Sequence, residues 1–183
     1  NIKLQQSPSA ATGRLELQNV NLRGLSRLAR ITPIGGVVTG LATFNNGAGP
    51  ATGDLNFSVA NANPVGVTAD PVSLDLVATL RGSVLTTRIT GAGQGFNLGA
   101  SSRLPVVDGE GFAGALDAAA PMAAEFDLQG RAEQLWALFG PEDQSLRGAL
   151  DAQVRASGTL SDPVLQGGFT VAEGAYEHGE TGL

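Results

Sequence analysis

The sequence is poor in the side chains that usually carry chemistry. It has no cysteine and a single histidine, His178, in 183 residues. The missing cysteines exclude disulfides, thiolate nucleophiles and cysteine-ligated zinc, and leave both cytosol and periplasm open as compartments. With one histidine, a Ser-His-Asp arrangement or a histidine-rich metal site has little to draw on. Basic residues are few: ten arginines and one lysine against 17 acidic residues, for a net charge of −6. They are spread along the chain without a cluster, which argues against nucleic-acid binding. Apolar runs stop after a few residues, far short of the ~20 that cross a bilayer as a helix. The N-terminal residues also lack the basic-then-apolar order of a secretion signal. Aromatics number only nine, whereas glycine reaches 26, about twice its usual share. At 42% hydrophobic and 15% charged residues, the chain is too apolar to stay disordered. Abundant Ala, Gly, Val and Leu with few aromatics point to thin β layers rather than a thick aromatic core.

What the sequence does have is alternation. Leu15 and Leu17 alternate with Glu16 and Gln18, and Leu55, Phe57 and Val59 alternate with Asp54, Asn56 and Ser58. Each set reads as a half-buried strand. Over 72–80, Val72, Leu74, Leu76, Ala78 and Leu80 share one face. The longest case is 146–160, where the even positions, including Leu146, Leu150, Val154 and Leu160, are all apolar or glycine and the odd ones are mainly polar. A strand of that length is far beyond the usual ~5–6 residues and implies a long, narrow sheet. Turn chemistry separates the strands: Asn45-Asn46-Gly47, Asn61-Ala62-Asn63-Pro64, Asp70-Pro71, Asp108-Gly109 and Ser161-Asp162-Pro163. Their spacing predicts successive antiparallel hairpins. Asp-Pro-Val recurs at 70–72 and 162–164, a hint of a degenerate repeat. Residues 1–183 thus read as one β-rich segment with a possible subdivision near 105–121. A start at Asn1 and a stop directly after a strand-like pattern lead us to expect a piece excised from a larger protein.

Two stretches depart from alternation. In 131–139, Ala132, Leu135, Trp136 and Phe139 have helical spacing, and Gly140-Pro141 follows. This predicts one short amphipathic helix, expected to plug the end or face of the sheet in preference to a membrane-surface or ligand-binding role. A second helix over 22–31 is suggested by Leu22, Leu25, Leu28 and Ala29, with Arg23, Arg27 and Arg30 on the other side, and is weakened by Gly24.

A search for chemistry finds no catalytic, cofactor or metal residues to nominate. His178 lies near Glu173, Glu177 and Glu180, but the spacing matches no calcium loop or zinc motif, and a solvated hairpin end explains it better. Gly91-Ala92-Gly93-Gln94-Gly95-Phe96 lacks the lysine and following helix of a phosphate loop and reads as a glycine-rich turn. Asp108 and Glu110 flank Gly109 as in a polar turn. The chain is therefore expected to be non-enzymatic. Its long apolar face still needs a cover. Leu and Val interleaved with Gly and Ala leave space between opposed walls, and such space suits acyl chains, each buried CH₂ contributing about 0.8 kcal/mol.

The C-terminal third carries a family resemblance. After the 131–139 segment and the long strand come Ser157-Gly158-Thr159-Leu160, Asp162-Pro163, Leu165-Gln166-Gly167, and Glu173-Gly174-Ala175-Tyr176, with Thr181-Gly182-Leu183 continuing the pattern. In that order, over about 115–183, the motifs resemble the TamB family; residues 1–114 agree in their glycine-punctuated style. The resemblance implies a long sheet curled into a taco-like trough with a greasy interior, in a periplasmic protein anchored in the inner membrane of a Gram-negative bacterium. It further implies an Omp85-type, TamA-like partner in the outer membrane, reached through parts outside this chain. Phospholipid movement between the membranes, as in AsmA-like bridge proteins, and outer-membrane protein assembly are the implied roles. The groove residues expected on this reading are Leu74, Leu76, Leu80, Leu150, Val154, Leu160, Leu165, Phe169 and Val171. The alternative is a scaffold that pairs its sheet edges with outer-membrane β-barrel clients by strand addition. A secreted β-solenoid would need a regular short repeat, which is absent from the sequence.

Overall fold

The computed structural model describes residues 2–7, 11–24, 34–46, 50–64, 71–107, 116–133, 136 and 144–178. They form ten strands: β1 (Ile2–Ser7), β2 (Ala11–Asn21), β3 (Ile34–Asn46), β4 (Thr52–Pro64), β5 (Val72–Arg81), β6 (Val84–Gly93), β7 (Phe96–Pro105), β8 (Ala123–Arg131), β9 (Gln144–Gly158) and β10 (Pro163–His178). All ten lie in one sheet in sequence order, each neighbouring pair antiparallel, so the fold is the all-β meander that the alternation predicts. The sheet is not closed: β1 and β10 are its two edges. Strands β7 and β8 pair directly across the 105–121 stretch, and isolated bridges Val106↔Leu116 and Pro121↔Thr159 tie parts of that stretch back to it.

Local chemistry sets the turns. The hairpins β5–β6 and β6–β7 have two-residue loops, 82–83 and 94–95, with Gly82 and Gly95 at φ +58° and +76°. Gly82, first in its loop, has the positive φ of the hairpin turns that match strand twist, and Gly95, second in its loop, has the positive φ that glycine adopts without a Cβ penalty. The glycine-rich 91–96 stretch is accordingly a hairpin tip. Asn61-Ala62-Asn63-Pro64, read in sequence as a loop, instead belongs to β4. There Asn61 takes φ +55° inside a β-bulge between Val59 and Ala62. Asn19 (φ +51°) in β2 and Glu173 (φ +53°) in β10 occupy the same kind of bulge. All three bulges lie toward one end of the sheet, where they sharpen its twist and bend.

The inner face accounts for the burial. Leu17, Val38, Val72, Leu80, Phe96 and Leu150 keep only 4–8% of their surface exposed, and the register places them all on the same face. Among the described residues no second layer packs on that face. A flat single layer would leave it in water, so the sheet is curled and the face shields itself, forming a trough. Small residues permit the curl: the Phe57 ring lies over Gly40, and a Cβ on Gly91 would sit 2.8 Å from a Leu74 methyl and 3.3 Å from Leu98.

Helix is nearly absent among the described residues. Strand β8 takes in Arg131, and helical backbone starts at Ala132, extends to Glu133 and is present again at Trp136. Residues 134–135 and 137–139 of the expected helix lie outside the described residues. Of the expected helix 22–31, residues 22–24 are helical and 25–31 lie outside the described residues.

Candidate functional site: the inner face of the trough

The site is a surface. Because cross-strand partners share a face, inner residues form rows that run from strand to strand. One row passes through Leu17, Gly40, Phe57, Leu76, Ile89, Ala100, Phe126, Val154 and Gly167. The next contains Val59, Leu74, Gly91, Leu98, Leu128, Ala152 and Phe169. Eight spacings of about 4.8 Å make the first row about 38 Å long.

Eight of the nine residues expected in the groove stand on this face. Leu74, Leu76 and Leu80 line β5; Leu150 and Val154 line β9; Leu165, Phe169 and Val171 line β10. Leu160 does not join them: β9 stops at Gly158, and Leu160 sits in the following turn, 37% exposed. The face also includes residues that alternation alone missed. Phe96 and Phe126 belong to it, and β6 contributes Leu85, Thr87, Ile89 and Gly91, where the threonine and glycine disguise the pattern. Tyr176 was missed because the bulge at Glu173 reverses the parity of β10: inner residues are odd through Val171 and even from Tyr176.

Shielding is uneven along the face. Leu80 is 6% exposed and Phe96 4%, whereas Leu165 and Phe169 on β10 are 67% and 66% exposed. Leu17, Val38, Leu150 and Ala152 are also 5–8% exposed, so inner residues are shielded on strands from β2 to β9 and the trough is open at β10. At the bulged end, Trp136 is clasped to β9 and β10. Its Nε1–H donates to the Gln144 carbonyl at 2.9 Å, its ring meets Tyr176 edge-on at 6.1 Å, and the Tyr176 hydroxyl donates to Gln144 Oε1 at 2.9 Å. The Gly148 amide donates to Glu133 Oε2 at 3.3 Å, and Ala132 is 1% exposed. This helical segment is fixed at the end of the sheet.

The outer face is a solvated polar surface. Arg81–Asp54 (2.6 Å), Arg155–Glu125 (3.3 Å) and Gln129–Asp151 (3.0 Å) bridge neighbouring strands there, all exposed. Such pairs contribute little to stability. The Glu16 carboxyl is held below its ordinary pKa, chiefly by the Gln18 side-chain amide donating at 2.6 Å and then by Lys3 and Arg14. Among the described residues no cluster of three metal-ligating side chains occurs, and no helix is long and apolar enough to cross a membrane. Asp108, Glu110 and Glu180 lie outside the described residues. Compared with family models, with curated proteins and with solved structures, the chain matches none.

Proposed function

We propose that this chain is a non-enzymatic groove segment of a periplasmic bridge protein, one that carries phospholipid acyl chains between the inner and outer membranes of a Gram-negative bacterium. The observation that carries the reading is the continuous apolar inner face, single-layered among the described residues and uncovered at β10. An ordinary core is closed by a second layer or by its own barrel; here water or an apolar ligand must meet Leu165 and Phe169. At about 0.8 kcal/mol per CH₂, an acyl chain laid on this face gains large affinity without polar contacts. The TamB-like order of motifs in 115–183 supports the remainder of the proposal: an inner-membrane anchor and a TamA-like Omp85 partner, both engaged through regions outside residues 1–183, and a contribution to outer-membrane protein assembly and envelope integrity.

The test is mass spectrometry of lipid that co-purifies with the detergent-free protein. Val154→Asp puts a charge on the inner face between Phe126 and Gly167, while Gln153→Asp puts the same charge on the outer face next door. Retention by the parent and by Gln153→Asp, with loss from a folded Val154→Asp, is the expected result. Equal behaviour of the two folded variants would remove the basis of the groove.

A second reading has its own support. Strand β10 is a 16-residue edge, and its apolar side chains Leu165, Phe169 and Tyr176 are 49–67% exposed. An amphipathic strand of an outer-membrane client, added to that edge, would cover them. Crosslinks from β10 edge positions to a nascent barrel protein, with none from inner positions of β5, would favour it over lipid carriage.

A further inference from the structure

Away from the strand ends, the inner face of β2–β10 has one polar interruption. Thr87 on β6 and Ser102 on β7 face each other in register, their hydroxyl oxygens 2.6 Å apart. Two hydroxyls bring two protons, and only one of them lies between the oxygens. The second O–H has no protein acceptor among the described residues, and both side chains are half-buried, so that donor is accessible from the trough.

Its position along the sheet is informative. The row that holds the pair runs from Ala78, 7% exposed, through Thr87 and Ser102, then half-buried Ala124 and Ala156, to Leu165, 67% exposed. The pair is the one polar point in a row that is otherwise apolar from Leu15 to Leu165. An amphiphile whose chains lie along this apolar row meets a polar side-chain group only at the pair. The donor there is neutral, and the row contains no charged side chain. An uncharged acceptor suits such a donor, whereas a phosphate calls for a cation.

We infer that the Thr87–Ser102 hydroxyl pair receives the ester carbonyl of an acyl lipid whose chains lie on the apolar residues to either side. This assignment rests on the lipid-groove reading above and adds a polar determinant to it: a preference for ester-linked over ether-linked chains.

The experiment compares binding of a saturated diacyl phosphatidylcholine with its dialkyl-ether analogue of equal chain length, by displacement of a fluorescent fatty acid from the 183-residue protein. The parent should favour the ester by about fivefold, the factor one net hydrogen bond provides. Thr87→Val or Ser102→Ala alone should keep the preference, because one hydroxyl donor remains. The double variant should bind both lipids equally, with the affinity the parent shows for the ether. Equal binding of the two lipids by the parent, or a preference that survives in the double variant, overturns the ester site while leaving the groove in place. Binding of neither lipid overturns the groove reading itself.

Discussion

Leu80 and Leu165 have the same side chain on the same face, and truncating each to alanine should have different consequences. Leu80 stands on β5 opposite Gly53 and Leu85 and is 6% exposed. Leu165 stands on β10 opposite Ala156 and is 67% exposed. Fully burying a leucine contributes about 1.5–3 kcal/mol, and removing it from a packed site adds the cost of the cavity. Leu80→Ala should therefore cost about 3 kcal/mol. Leu165 has lost only a third of its surface to the fold, so Leu165→Ala should cost about 0.5–1 kcal/mol. With a urea dependence of about 2 kcal/mol per molar, the unfolding midpoints of the two variants should differ by about 1 M. Urea titration followed by circular dichroism reads this directly. Costs equal within about 0.5 kcal/mol would mean that the inner face is shielded evenly, and a trough shielded at β5 and open at β10 would be ruled out.

Other consequences follow from the backbone and the outer face. Gly167 and Gly168 are adjacent on opposite faces: Gly167 has φ +157° and a Cβ there would lie 2.8 Å from the Val154 Cα, whereas a Cβ on Gly168 meets nothing within 4 Å. Thermal unfolding should show Gly167→Ala losing about 2–4 kcal/mol and Gly168→Ala unchanged or slightly more stable. Glu173 holds φ +53° in the β10 bulge, and Glu173→Gly should gain about 0.5–1 kcal/mol by relieving that conformation, a gain that denaturant titration would detect. Because the Glu16 pKa is lowered in the fold, its contribution to stability is present above the unfolded carboxylate range and is lost as pH falls through the folded value. Gln18→Leu should raise the Glu16 pKa, as read by carboxyl-carbon NMR.

Much of this architecture is legible in the residues. Period-two alternation at 15–18, 54–59, 72–80 and 146–160 locates β2, β4, β5 and β9, the last overrun by two residues, and assigns their inner faces, since one face of each strand must leave water. The failures have local causes. Asn61 to Pro64 have turn chemistry, but the left-handed conformation that asparagine tolerates serves equally in a bulge, so β4 continues where a loop was expected. Each bulge also shifts parity by one, which hid Tyr176 from a reading carried along β10. Leu160 fitted the period of β9 while lying past its end, because Gly158 takes φ +86° and turns the chain. The Thr87–Ser102 pair could not be read from sequence at all. It exists only because the two-residue loop at 94–95 sets those residues opposite each other. Curvature, and with it the difference between the shut and open parts, is a property of the whole sheet.

The most direct test of the lipid groove uses a phospholipid with a photoreactive diazirine in its acyl chain, incubated with the native protein, irradiated, and mapped by peptide mass spectrometry. Adducts should fall on inner-face residues, Leu74, Leu76, Val154 and Phe169 among them, and spare their outer-face neighbours Asp75, Gln153 and Thr170. Adducts spread evenly over both faces, or none at all, would contradict the account.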